Sequence, residues 1–341
     1  MRIAQLSPLW KTVPPKRYGG SELIVSLLTE ELVKLNHEVT LFACRGSKTR
    51  GNMCKVIPKP LYDILGQFKF DAVQFQDFLA IKKVFDLARK GEIDIIHNHM
   101  GFHVSILSDV SPVPMVSTIH SSLPPDNEEV ARAAKSSVYV SISNTQRKLA
   151  PYLNYVGTVY HGIDTRKFSF NKKPGDYLLF FATMWKEKGV DRAIKIAKES
   201  NMRLIMAGDI RRQSDFDEIS KYIDGKNIIY LEEVDFAQKN QLMANAKAYL
   251  FPIRWNEAFG LTVVESLACG TPVIAYKNGS LPEIIKNKET GFLVNSIEEA
   301  VKAVTKIGEI SREKCRQIAK EKFDVSVMTK NYLKIYEDLQ K

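Results

Sequence analysis

The sequence contains no stretch of about 18 uninterrupted apolar residues, so no segment reads as a transmembrane helix. Cysteine is scarce. The four thiols, Cys44, Cys54, Cys269 and Cys315, show neither metal-ligand spacing nor a disulfide framework, which fits a reducing cytosol. No Lys/Arg run with interleaved aromatics occurs, so nucleic acid is not an expected partner. No G-x-G-x-x-G opens a helix after the first strand, which removes the fingerprint of a nicotinamide dehydrogenase. The opening MRIAQLSPLW reaches Pro8 too early for a signal-peptide core. A cytoplasmic location is expected, with peripheral membrane contact allowed.

What is present is an ordinary globular composition: 341 residues, 45% hydrophobic and 26% charged, enough chain for two domains with their own cores. The net charge of +10 is spread evenly. Residues 1–165 hold 19 basic against 15 acidic groups and the remainder 30 against 24, so neither half is a basic module. Mild basicity suits an anionic substrate or a membrane surface.

Short apolar runs alternate with helical patterns throughout. Arg2–Leu6, Glu38–Ala43, Asp94–His97, Met115–His120, Val138–Ser143 and Gly157–His161 read as strands, and Ile24, Leu27, Leu28, Leu32 and Leu35 mark an amphipathic helix with Ser21 as N-cap. The alternation restarts at Tyr177–Ala182, Leu204–Ala207, Ile228–Leu231, Ala248–Phe251 and Val273–Ala275. Strands alternating with helices imply parallel sheets built from βαβ units. The fold class expected is therefore α/β, with two Rossmann-like, doubly wound domains at 1–165 and 175–320 facing across a cleft. The polar stretch Asp164–Asp176 is the expected linker. A last helix, within 321–341, carries Met328, Tyr332, Ile335, Tyr336 and Leu339 on one side.

Ligands of parallel sheets sit beyond the carboxyl ends of the strands. The richest such segment runs from Phe251 to Ile274: a strand ends at Pro252, a loop carries Arg254, Trp255 and Glu257, and a helix opens near Gly260 and stops at Gly270. A helix N-terminus offers unpaired N–H groups and partial positive charge, so Gly260-Leu261-Thr262 suits a phosphate. Glu257 precedes the helix and Glu265 lies more than a turn inside it. That separation suits two hydroxyl-bearing groups at opposite ends of one extended ligand. Glu265 is flanked by Val263, Val264, Leu267 and Ala268, which leaves little exposed polar face around it.

The pattern E-x-F-G-L-x-x-x-E followed by A-C-G-T-P-V-I-A, then Gly279-Ser280-Leu281-Pro282-Glu283 and Thr290-Gly291-Phe292-Leu293-Val294, resembles the family 4 (group 1) retaining nucleotide-sugar glycosyltransferases of GT-B fold. So do Pro14–Glu22 with Gly19-Gly20, Ile95–His99, Ser117–His120 and Lys186–Asp191, in the right order along the chain. The resemblance implies transfer of a sugar from a UDP-, GDP- or ADP-sugar to a carbohydrate, lipid-linked or small-molecule acceptor, without a cofactor or metal. It implies that Glu257 holds donor-sugar hydroxyls and Glu265 the ribose. Amides at Phe259, Gly260 and Leu261, with Thr262 beside them, serve sugar and diphosphate, and Lys188 neutralises the leaving group. Gly19 and Gly20 bring backbone amides to the β-phosphate, and His120 faces the donor sugar.

One departure stands out. The family's usual Gly-Arg before Lys188 is here Ala182-Thr183, so a cation is missing, with Lys186 and Arg254 as candidate substitutes. That departure motivates the alternative of a sugar-nucleotide-binding protein of the same fold without transferase activity. Asp215-Phe216-Asp217 spells D-x-D, but reads as first-turn acids behind an N-cap at Ser214. His97 and His99 share one strand face; lacking a third ligand, they read as a polar wall for acceptor binding rather than a metal site. Glu283 stands at a helix start near the donor segment. Trp10, Tyr18 and Trp255 are candidates to stack on a sugar or base.

Overall fold

The structure, a computed structural model, describes residues 1–17, 19–66, 70–121, 128–133 and 136–341. Tyr18, one of the three stacking candidates, lies outside the described residues. The chain forms two compact units, residues 1–163 with 325–341, and residues 164–324.

Among the described residues the first unit holds seven strands: β1 (Arg2–Leu6), β2 (Glu38–Ala43), β3 (Asn52–Lys55), β4 (Ile95–Asn98), β5 (Met115–Thr118), β6 (Val138–Ser141) and β7 (Tyr155–Thr158). Their order is β3-β2-β1-β4-β5-β6-β7, every neighbour parallel. The second unit holds β8 (Tyr177–Phe181), β9 (Arg203–Ala207), β10 (Ile228–Leu231), β11 (Ala248–Phe251), β12 (Val273–Tyr276) and β13 (Gly291–Val294), ordered β10-β9-β8-β11-β12-β13 and again parallel. Central strands such as β4, β5, β11 and β12 are buried on both faces because helices cover each side of a parallel sheet. In each sheet the chain winds outward one way, returns to the middle and winds the other way. The switch points, where a crevice opens at the carboxyl ends, lie between β1 and β4 and between β8 and β11.

Three sequence expectations shift. The helix after β1 runs Gly20–Lys34 with Gly19, not Ser21, as its cap, because the Gly19 carbonyl already accepts from Leu23 N at 3.0 Å. The helix over Gln213–Ser220 is capped by Arg212, two positions before the expected cap at Ser214. The stretch Asp164–Asp176 is not a linker between domains but the opening of the second unit. Thr165 is buried and donates its hydroxyl to Asp324 at 2.6 Å, a 3₁₀ turn spans Thr165–Lys167, and Phe168 is buried. The chain passes back at Asp324, and the last helix, Val325–Leu339, belongs to the first unit. There it packs on the Gly20–Lys34 helix with Met328, Tyr332 and Tyr336 buried.

Candidate functional site

In the second unit the loops after β8 and β11 flank the switch point. They meet at Gly189, whose φ is +83° and where a Cβ would stand 2.2 Å from the Pro252 carbonyl oxygen; only glycine fits. That approach brings Lys188 to the β11 loop. Its Nζ lies 3.7 Å from Glu257 Oε2 and 4.1 Å from the centre of the Trp255 ring, a cation–π distance. Burial holds the Lys188 ammonium below its ordinary pKa; Arg211 lowers it further while Glu257 opposes both. Glu257 is backed by the turn at Gly279, φ +57°, where a Cβ would meet the Glu257 carbonyl oxygen at 2.3 Å, and Ser280 N donates to that oxygen at 2.9 Å.

The helix Leu261–Ala268 starts behind Gly260, its N-cap. Its first intrahelical bond runs from Val263 N to Gly260 O at 3.0 Å, so the Leu261 and Thr262 amides precede the ladder. The Thr262 hydroxyl is engaged, 3.0 Å from that of Tyr249. The Phe259 ring is buried against Phe323, and its carbonyl oxygen accepts from Ser280 Oγ at 3.0 Å. Glu265 is buried. Its Oε1 accepts from Lys239 Nζ at 2.8 Å, while Oε2, itself buried, has no hydrogen-bond partner among the described residues. Lys239 was not foreseen: it stands 26 positions away, on the Phe236–Asn245 helix, and only the fold brings it to Glu265.

Neither expected substitute for the missing cation sits with Lys188. Arg254 grips Asp191 with both Nη atoms at 2.7 and 2.6 Å and also bonds the Lys186 carbonyl, so its fork is spent on structure. Arg254→Met should lower stability by about 2 kcal/mol, the worth of a charged hydrogen bond, while leaving nucleotide affinity unchanged; calorimetric unfolding and binding titrations separate the two. Lys186 is exposed, with Nζ 3.7 Å from Glu218. It shares a 3₁₀ turn with Lys188, and three residues per turn send positions two apart in different directions. Sequence reasoning missed Arg211 instead. Thr183 donates its hydroxyl to Asp209 Oδ1 at 2.6 Å, and Asp209 Oδ2 holds Arg211 Nε at 3.4 Å. The two loops lie flush, Met184 N donating to Asp209 O at 2.8 Å.

In the first unit Gly19 has a local explanation: a Cβ there would meet Pro15 Cβ at 2.8 Å. His120, after β5, is half-buried, and both ring nitrogens are engaged, Nε2 with His99 at 2.9 Å and Nδ1 with His161 at 3.3 Å. His97 and His99 do not form an acceptor wall. They are 0% and 2% exposed, and His97 is bonded to Tyr336 and Thr118, His99 to Gln5 and His120. Their strand is central and covered by the last helix, a burial that a two-residue alternation cannot reveal. Trp10 packs edge-on to Tyr62 at 5.7 Å. Among the described residues no group of three or more His, Cys, Asp or Glu is placed to hold a metal ion, and no helix is long and apolar enough to cross a membrane. Asp215 and Asp217 are bonded to Lys186 N and Gln213. Glu283 stands in the short helix Leu281–Ile284.

Burial lowers the pKa of His97, His99 and His161 well below the ordinary 6.5 and that of His120 to about 4. Below 6.5 the unfolded chain therefore binds more protons than the folded one. Stability from these rings is complete above 6.5 and drains away as pH falls through it. The melting temperature should drop between pH 6.5 and about 5, before most carboxylates protonate; a flat profile there is incompatible with rings buried in the neutral form.

Residues 163–323 match the family described as glycosyl transferases group 1, and residues 18–167 match glycosyltransferase family 4. The chain belongs to the group 1, family 4 glycosyltransferases. One relative of this family-4 chain is the N-acetyl-alpha-D-glucosaminyl L-malate synthase of Bacillus anthracis, 24% identical over 94% of both chains. Another is an uncharacterized 41.2 kDa protein in the cps region of Klebsiella pneumoniae, 34% identical over 47% of this chain and 46% of that one. Among solved structures, AviGT4, a glycosyltransferase involved in avilamycin A biosynthesis, superposes with TM-score 0.73 at 21% identity over 100% of this chain and 98% of that one. HepE of Anabaena, solved with UDP and glucose, gives 0.73 at 18% identity over 99% of each chain. The fold of this glycosyltransferase is thus GT-B, two Rossmann-like domains.

Proposed function

We propose that this glycosyltransferase moves a sugar from a nucleoside-diphosphate donor to an acceptor hydroxyl with retention of anomeric configuration and without a divalent ion. Glu265 carries the reading. A buried carboxylate with one oxygen on a lysine and the other without a partner is an acceptor awaiting a donor, and a ribose hydroxyl supplies one. The donor is already activated, so the protein's task is to position it and to stabilise charge on the departing diphosphate. Lys188 and the Leu261–Ala268 helix terminus are assigned that charge, with Arg211, steadied by Asp209 and Thr183, as the second cation. Glu257 is assigned to hydroxyls of the donor sugar. The roles of the first-unit residues are carried over from the family: His120 toward the sugar, the Gly19 and Gly20 amides toward the β-phosphate. The acceptor is a carbohydrate, a lipid-linked glycan or a small molecule. The UDP seen with HepE supports a nucleotide-sugar donor.

A thermal-shift screen of uridine, guanosine and adenosine diphosphate sugars should single out one nucleotide by its stabilisation. Incubation with that labelled donor and an acceptor panel, with EDTA present, should yield a glycosylated product of unchanged anomeric configuration. Inversion removes the retaining mechanism, and binding without any product or free sugar favours a non-transferring binder. Arg211→Ala should weaken diphosphate binding while leaving the bare nucleoside unaffected.

A further inference from the structure

Eight side chains of the first unit are joined in one hydrogen-bonded series: His161, His120, His99, Gln5, Tyr336, His97, Thr118 and Tyr332. They come from distant parts of the chain, on or just after β1, β4, β5 and β7 and on the last helix. Gln5 sits directly opposite His97 in the β1–β4 register. Gln5, His97, Thr118, Tyr332 and Tyr336 are fully buried.

The direction of the series follows from one amide. Gln5 turns Oε1 to His99 Nε2 at 2.8 Å and Nε2 to the Tyr336 hydroxyl at 3.3 Å. An amide oxygen only accepts, so the proton sits on His99 Nε2. A neutral imidazole carries one proton, so His99 Nδ1 accepts and His120 Nε2 donates across 2.9 Å. By the same rule His120 Nδ1 accepts from His161 Nε2 at 3.3 Å. On the other side Gln5 Nε2 donates to Tyr336, Tyr336 to His97 Nδ1 at 2.6 Å, His97 Nε2 to Thr118 at 2.9 Å and Thr118 to Tyr332 at 3.0 Å. Every link then has one donor and one acceptor, and all four rings are the same tautomer. Burial keeps them neutral.

We propose that Gln5 is the positioning residue that fixes His120 as its Nε2–H tautomer, so that a hydroxyl-bearing ligand meets an acceptor at His120 Nδ1 in exchange for His161. The bond exchanged, at 3.3 Å, is the longest of the links along the His161–His120–His99–Gln5 arm. Only the ligand rests on the reading of His120 as a donor-sugar contact; the polarity of the series stands without it.

Long-range ¹⁵N–¹H NMR of the full chain labelled at histidine decides the matter at neutral pH, with assignments from single His→Gln variants. The expected result is a proton on Nε2 alone in His97, His99, His120 and His161. A proton on Nδ1 of His99 or His120 overturns the proposal. Gln5→Met, close in shape but without the amide, should give His99 and His120 mixed tautomers; an unchanged His120 removes the positioning role. Because Gln5 is fully buried, Tyr336→Phe serves as a second variant. It should alter His97 and leave His99 and His120 as they were, and a change at His120 counts against polarity set by Gln5. Adding uridine, guanosine or adenosine diphosphate glucose separates the two readings. Absence of binding by all three sugar nucleotides with the tautomers as expected counts against the donor assignment alone. Binding that moves His120 Nδ1 while Nε2 keeps its proton supports the exchange, and binding that transfers the proton to Nδ1 overturns it.

Discussion

Glu265→Gln should weaken binding of the stabilising nucleotide by about 10- to 100-fold, the loss of a hydrogen bond to a charged acceptor worth about 1.5–3 kcal/mol. The amide keeps the shape and one oxygen for Lys239, so the fold should survive. Glu265→Ala is a different perturbation. It strands the Lys239 ammonium, only 15% exposed, without its 2.8 Å partner, and breaking a buried pair on one side costs about 3–5 kcal/mol. Glu265→Ala with Lys239→Met removes both charges and should recover most of the lost stability while nucleotide affinity stays low. Isothermal titration against the nucleoside diphosphate and thermal unfolding read the two quantities separately. A double variant that binds nucleotide like the wild type would show that Glu265 serves only Lys239.

Lys188→Met should reduce kcat/KM about 10²- to 10³-fold, the range seen when one group stabilising a developing negative charge is removed. The loss belongs in turnover more than in KM, because charge on the diphosphate grows as the sugar leaves. The ammonium also gives a signature in pH. Burial has lowered its pKa, so in the free enzyme the charge is lost as pH rises through a value below the ordinary lysine range. Donor capture should therefore fall on the alkaline side earlier than for an exposed lysine, and a bound diphosphate should push the limb back up. Lys188→Arg keeps the charge at any accessible pH; it should retain part of the activity and move the alkaline limb upward. An identical limb in the arginine variant would assign it to some other group.

The alternation of apolar runs with amphipathic stretches made most strands and the α/β class legible, because burial on both faces of a parallel sheet demands continuous apolar residues. β3 escaped because Asn52–Lys55 is a short edge strand with exposed polar residues at both ends, and β13 because Gly291–Val294 is four residues opened by a glycine. The local structure from Glu257 to Gly270, the segment proposed to hold the donor, was readable for a similar reason: a strand end, a loop and a helix start are contiguous, and their spacing is fixed by backbone geometry.

What sequence spacing could not supply were the partners of those residues. Lys239 for Glu265, Asp191 for Arg254, and Asp209 with Arg211 beside Thr183 come together only when strands separated by crossovers are laid side by side. The histidines show the same limit most clearly. That His97 and His99 share a face follows from the two-residue period of a strand. Which medium that face meets was decided by a helix more than 220 residues later, whose Tyr336 hydroxyl closes on His97 and turns a polar pair into part of the interior. Local periodicity fixes direction along the chain; burial and charge compensation depend on what packs opposite, which is a property of the whole fold.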